Sequence, residues 1–223
     1  LFVDYDDHIE NGRYNYVPED DNKDNAYVEF NLSDYDKKDS ELIYYSSVEE
    51  AILNSPLNAE NEEFSVPEDF LNHVDEILHI WNGKQYDTIF YRAGSDNDPV
   101  QGFVMARCKK QVEEATVQYA FMNATPVTTK ADSILISDIT ELIHSSLKLS
   151  DFQQDLNPNY PDTRFVFGYA HDKEIYSLEV EGQKPDGVIE INVYDRTMYL
   201  WYYDDLKSDK RGNNLSYSVD MPE

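Results

Sequence analysis

Cysteine is almost missing from this chain. Cys108 stands alone among 223 residues, which excludes a disulfide within it. Glycine is scarce as well: eight residues leave few places where the backbone could approach a cofactor closely. No Gly-x-Ser-x-Gly elbow, phosphate-cradling glycine loop or His-Glu-x-x-His helix occurs. No run approaches the roughly 18 apolar residues of a membrane-spanning helix, and no signal-peptide pattern is found. Positive charge is the fourth shortage, with 18 Lys and Arg against 45 Asp and Glu, a formal net charge of -27. That balance opposes nucleic-acid phosphate and anionic membrane surfaces. It favours cations or a basic protein partner. The absent motifs and the scattered histidines His8, His73, His79, His144 and His171 lead to the expectation of no enzyme activity, no cofactor and no metal site.

What is present argues for a folded chain. Hydrophobic residues make up 40% and tyrosine contributes 18 positions, enough to build a core despite the charge. The acidity is spread evenly: residues 1–39 hold 12 acids and 4 bases, residues 40–130 hold 15 and 6, and residues 131–223 hold 18 and 8. No segment is an acidic tail, so the charge reads as the solvated surface of a folded protein. The chain opens at Leu1 rather than Met, as expected of a trimmed or processed product whose targeting segment lies upstream.

The pattern divides into three parts: an acidic segment rich in Asn, Asp and Tyr (1–39), a helix plus antiparallel sheet module (40–130), and a helix plus β-rich module (131–223). In the second part, Ser46-Ser47-Val48-Glu49-Glu50 reads as a capped short helix ended by Pro56, preceded by a strand at 42–45. Ser65-Val66-Pro67-Glu68 reads as the cap of a longer helix. Phe70, Leu71, Val74, Ile77, Leu78 and Trp81 recur at helical spacing after it, and Asn82-Gly83 ends the run. Thr88–Arg92, Gly102–Cys108 and Thr116–Met122 follow as a three-stranded meander, with Cys108 alternating into the core beside Val104 and Ala106. In the third part, 134–149 reads as a helix and 157–161 as a break. Strands are then expected at 164–170, 175–180, 188–194, 198–203 and 215–219. The expected fold class is α+β: N-terminal helices packed on a small antiparallel sheet, then a C-terminal antiparallel β-meander or half sandwich.

Three constellations carry possible chemistry. Glu76-Ile77-Leu78-His79 and Glu141-Leu142-Ile143-His144 repeat a Glu-x-x-His spacing that, on facing helices, can hold two metal ions. The same pair suggests a weak internal repeat, in which a helix precedes an Asp-Thr strand at 87–88 and again at 162–163. Too few helices are expected for a metal bundle, so these side chains are read as polar residues at the solvent-exposed edge of a buried face. Asp20-x-Asn22-x-Asp24 starts like a calcium loop but has Asn25 and Asn31 where glycine and a bidentate glutamate belong. Asp4-x-Asp6-x-His8 and Asp96-x-Asp98 are weaker, so divalent cation binding is expected to be weak. The third constellation is aromatic. Along a strand, Tyr199, Trp201 and Tyr203 share one face, and an exposed concave platform there would bind a protein or glycan partner. The opposing reading is plain core.

Residues 44–52 (Tyr-Tyr-Ser-Ser-Val-Glu-Glu-Ala-Ile), the strand 87–92, Tyr119-Ala120-Phe121 with Thr125-Pro126-Val127, and segments 178–186 and 200–206 resemble uncharacterised extracytoplasmic proteins of Gram-positive gut bacteria. The resemblance spans residues 42–206. It implies a secreted or lipid-anchored, cell-surface location and brings no active-site residues. The leading expectation is therefore a non-enzymatic extracytoplasmic binding or interaction module. Two rival expectations are an intracellular acidic inhibitor mimicking nucleic acid and a hydrolase with an unrecognised site.

Overall fold

A computed structural model describes residues 9–18, 38–55, 70–94, 102–128, 138–155, 157–193 and 196–222. In chain order its elements are β1 (Ile9–Glu10), β2 (Arg13–Tyr16), α1 (Val48–Leu53), β3 (Val74–Asn82), β4 (Tyr86–Ala93), β5 (Gly102–Glu113) and β6 (Thr116–Thr128). They continue with α2 (Ile139–Lys148), α3 (Ser150–Asp155), β7 (Val166–Ala170), β8 (Glu179–Val180), β9 (Gly187–Val193), β10 (Arg196–Tyr203) and β11 (Tyr217–Asp220). The chain divides into two compact units: residues 32–135 with 193–195, here the meander unit, and residues 1–31, 136–192 and 196–223, here the composite unit. Antiparallel β structure dominates both, with a small helical component. The three candidate calcium loops, the Ser65 cap and Pro56 lie outside the described residues.

The meander unit is a four-stranded sheet in the order β3-β4-β5-β6, every neighbouring pair antiparallel. The helix read over Phe70–Trp81 is instead a 3-10 turn at Phe70–Asn72 followed by strand β3. The reason lies in the register. On β4 the inward residues Ile89, Tyr91 and Ala93 are two apart, as in any strand, while their β3 partners Ile80, Ile77 and Val74 are three apart. An extra residue, Asp75 or Leu78, sits in each interval as a β-bulge. Two bulges thus stretch the apolar period from two to three, and a period of three is easily taken for 3.6.

On the inward face, Val48, Ala51 and Ile52 of α1 pack against Ile89, Tyr91, Val104, Ala106, Cys108 and Phe121. The side chains of Trp81, Phe90, Phe103 and Met105 are buried on the other face, with the Phe90 and Phe103 rings stacked 5.7 Å apart. Cys108 is fully buried beside Val104 and Ala106, as its alternation predicts. β5 runs beyond the expected Gly102–Cys108, continuing to a two-residue turn at Glu114-Ala115 that joins it to β6. Both turn residues have positive φ, 47° and 69°, which a tight hairpin needs and which Asn-Gly adopts more easily.

The composite unit holds a sheet β1-β2-β11-β8 and a sheet β7-β10-β9. The N-terminal segment is therefore not a separate piece: β2 pairs with β11 at the far end of the chain, with Tyr14 opposite Val219 and Arg13 opposite Asp220. Asp138 caps α2 by accepting from the Thr140 N–H at 2.8 Å. Ile139, Ile143 and Leu147 then share a face that enters one core with Val166, Ala170, Trp201, Tyr203, Tyr217 and Val219. Gly168 allows the close approach of α2 to β7, since a Cβ there would come within 2.3 Å of the Trp201 ring and 2.4 Å of Ser146 Oγ. The strand expected over 175–180 is mostly a 3-10 turn, Lys173–Ser177, before the two-residue β8. The suggested internal repeat does not hold, because Glu76–His79 is strand and Glu141–His144 is helix.

Candidate functional site

Tyr199, Trp201 and Tyr203 do share one face of β10, but it is the core face. Trp201 is 0% exposed, beneath α2, and Tyr203 is buried beside it with ring centroids 6.2 Å apart. The Tyr203 hydroxyl donates to the Gln183 carbonyl at 2.9 Å and accepts from the Val180 N–H at 3.1 Å. Burial drives its pKa far above the ordinary range, against the effect of the Val180 hydrogen bond. The platform reading thus fails for Trp201 and Tyr203, whose rings hold the core together. Tyr199 alone reaches the edge of that core, where it is half-buried.

The metal reading loses its geometry as well. Glu76 and His79 lie on a bulged strand, where three residues do not amount to one helical turn. No group of three or more His, Cys, Asp or Glu side chains suited to a metal occurs among the described residues. The buried reactive groups are committed to structure. Burial, and next the charge of Asp87, pushes the Cys108 thiol up to about 12, so it is no thiolate at neutral pH. Asp87 pairs with Lys110 at 2.7 Å and accepts from the Gly83 N–H at 3.1 Å. The Tyr91 hydroxyl donates to the Leu71 carbonyl.

The surface of the meander unit around α1 is different. Ser47 caps this six-residue helix, accepting from the Glu50 N–H at 3.2 Å, and the Glu50 carboxylate accepts from the Ser46 N–H at 3.2 Å. At the other end, Asn72 donates to the Ile52 carbonyl at 2.8 Å and the Ser55 carbonyl at 3.0 Å, tying the helix end to the Phe70–Asn72 turn. The helix is thereby held at both ends although it is too short to persist alone.

Two grooves of about 260 Å³ each flank the helix. The first is lined by Leu42, Ile43, Tyr45, Ala51 and Phe121, with Glu41 and Asn54. The second is lined by Glu49, Leu53, Asn72, His73 and Val74. Ile43 is 66% exposed and Leu53 65%, one in each groove. Single exposed apolar residues are ordinary, but here each occupies a concave surface with a carboxylate in its lining. α1 has Glu49 and Glu50 in its first turn and no basic residue in its last.

The sequence motif that builds this site, Ser-Ser-Val-Glu-Glu, was legible as a cap, whereas the grooves depend on contacts made by Phe121 and Asn72 from elsewhere in the chain. No protein-family model, curated protein or solved structure matches this chain.

Proposed function

We propose that this protein is a non-enzymatic, extracytoplasmic binding module whose meander unit receives a basic, apolar-studded polypeptide segment along α1. The observation that supports this reading most is the pair of exposed side chains Ile43 and Leu53, seated in grooves on the two sides of one helix. Glu41 and Glu49 in the groove linings and the chain's charge of -27 favour a cationic partner. A partner of that kind would place apolar side chains in the grooves and its lysines or arginines against the carboxylates. The extracytoplasmic part of the reading rests on the resemblance of residues 42–206. It is checked by fractionating cells that express the full gene with an epitope tag.

The docking reading is tested with a synthetic lysine-leucine peptide and its glutamate-leucine counterpart, by calorimetric titration of the wild-type protein and of Ile43→Asp and Leu53→Asp. The lysine peptide binds the wild type, and each substitution weakens it by about tenfold or more, as expected for removing one buried apolar anchor. Both substitutions add negative charge, so adsorption by charge alone would instead become tighter. Tighter or unchanged binding by the variants, or equal binding of the glutamate peptide, overturns the reading.

A further inference from the structure

Tyr176 and Tyr199 form a corner at the surface of the composite unit. The 3-10 turn Lys173–Ser177 is anchored by Ile175, which is fully buried in the core, and the next residue, Tyr176, points outward at 55% exposure. Its ring meets that of Tyr199 with centroids 5.7 Å apart and planes at 73°. The two rings therefore stand as adjoining walls rather than as a flat stack. Tyr199 packs against the core, so the inner wall is fixed by β10, and the outer wall is carried by the turn.

Three carboxylates act on this corner, from the strand beside β10 and from within four residues of Tyr176. Glu190 comes from β9, and Asp172 and Glu174 from the turn region. Burial first, and then the charges of Glu190, Glu174 and Asp172 together with Tyr176, raise the Tyr199 hydroxyl pKa. Asp172 is itself raised, by burial and then by Glu174, with Asp138 adding to the effect and His171 opposing it. The corner thus lies in negative potential, and each ring adds the negative face of its π-system. An anion is repelled there, and a neutral apolar group gains nothing from the charges. A bare divalent ion finds no ligand cluster of the kind it needs among the described residues. An alkylammonium group suits both features: its low-charge-density methyl or methylene surface packs on aromatic faces, and its charge is met by carboxylates.

We infer that Tyr176 and Tyr199, with Glu190 and Glu174, form a binding site for an alkylammonium cation. The site belongs to the composite unit and involves none of the residues around α1.

Tetramethylammonium chloride is titrated into the intact protein, with sodium chloride as the ionic control, and the Tyr ring resonances are followed by NMR. Saturable shifts of the Tyr176 and Tyr199 rings are expected at millimolar concentrations, and sodium does not reproduce them. Tyr176→Ala and Glu190→Gln each weaken binding by about fivefold, the worth of one exposed cation–π or charge contact. Tyr176→Phe binds like the wild type. Absence of saturation by about 100 mM, far weaker than two aromatic walls and a charge provide, overturns the assignment. So do equal shifts with sodium, or wild-type affinity in Tyr176→Ala. Tyr176 is exposed, so the variants keep the fold, and unchanged far-UV circular dichroism verifies this. Leu53→Asp leaves the affinity for tetramethylammonium unchanged, which separates this site from the peptide surface.

Discussion

The meander unit and the composite unit close their cores over very different stretches of chain. In the meander unit each strand pairs with the next in sequence, β3 with β4 and β5 with β6 across short turns. In the composite unit β2 finds β11, and Arg13 bonds Asp220 at 2.7 Å across 207 positions. Pairing neighbours requires little loop closure, whereas joining the two ends of the chain loses much more entropy before any contact forms. The composite unit correspondingly carries many side-chain ties to distant backbone. Tyr217 donates to the Thr140 carbonyl at 3.1 Å and Gln153 to the Phe167 carbonyl at 2.6 Å. Arg164 donates to the Ser208 and Lys210 carbonyls at 3.0 and 2.7 Å. Each tie satisfies a buried polar group and at the same time fixes one segment against another. Both units add such ties to the burial of their cores: Asn72 to Ile52 and Tyr91 to Leu71 in the meander unit span 20 positions, and Tyr217 to Thr140 in the composite unit spans 77.

Three measurements test this contrast. The largest effect is expected from Trp201→Ala, which removes the biggest fully buried side chain of the composite core at the point where α2 meets β7. A loss of about 4 kcal/mol should follow, seen as faster amide exchange in β7 and β10. A loss under about 1 kcal/mol would mean that this core reorganises around a large cavity.

A smaller effect of opposite sign belongs to the meander unit. Replacing Glu114-Ala115 by Asn-Gly relieves two positive φ values in side chains that resist them. Stability should rise by about 1 kcal/mol, measured as the denaturation midpoint with the slope unchanged. A fall would show that the turn is held by something other than its own backbone.

The third measurement varies pH and separates the units on the acid side. Burial, then Lys148, lowers the pKa of His144 on α2 below 6.5, so the unfolded state takes up the proton first. Composite-unit stability is whole above pH 6.5 and declines as pH falls from there through the folded value. The Cys108 thiol in the meander unit moves the other way, from 9.0 up to about 12, so the unfolded thiol ionises first as pH rises past 9. Meander-unit stability should fall by roughly 1 kcal/mol between pH 9 and 10. Exchange-resolved stabilities at pH 5, 7 and 10 test both. Both units lose stability on the alkaline side, since burial raises the Tyr203 hydroxyl too; loss by both on the acid side would dissolve the distinction.

Much of the fold could be read in advance where period and chemistry agree. The spacing of Ile139, Leu142 and Ile143 marks α2, though not its Asp138 cap, and the alternation of Val104, Ala106 and Cys108 marks β5. Asn11-Gly12 was not singled out, although both residues have positive φ in the β1–β2 hairpin. β3 was illegible because bulges are properties of a strand pair, and the sequence of one strand does not announce the residues its partner will skip. Trp201 and Tyr203 were misplaced for a related reason. Alternation assigns side chains to faces but does not say which face a helix will cover, and α2 covers theirs. The aromatic corner was missed because Tyr176 was expected in a strand, and only the 3-10 turn swings its ring toward Tyr199. Of the three tyrosine-strand residues first singled out, Tyr199 alone lies at the surface proposed for binding.

The bulged β3 has one more consequence. It ends the strand order β3-β4-β5-β6, so its outer side is where a second molecule could add a strand. An incoming strand advances in steps of two residues. β3 breaks that rhythm twice within nine residues, and Glu76 stands exposed between the breaks. A foreign strand falls out of phase after a few pairs and meets a charge as it does so. The irregularity that disguised this segment as a helix also makes it a poor template for polymerisation, protecting the sheet from its own copies.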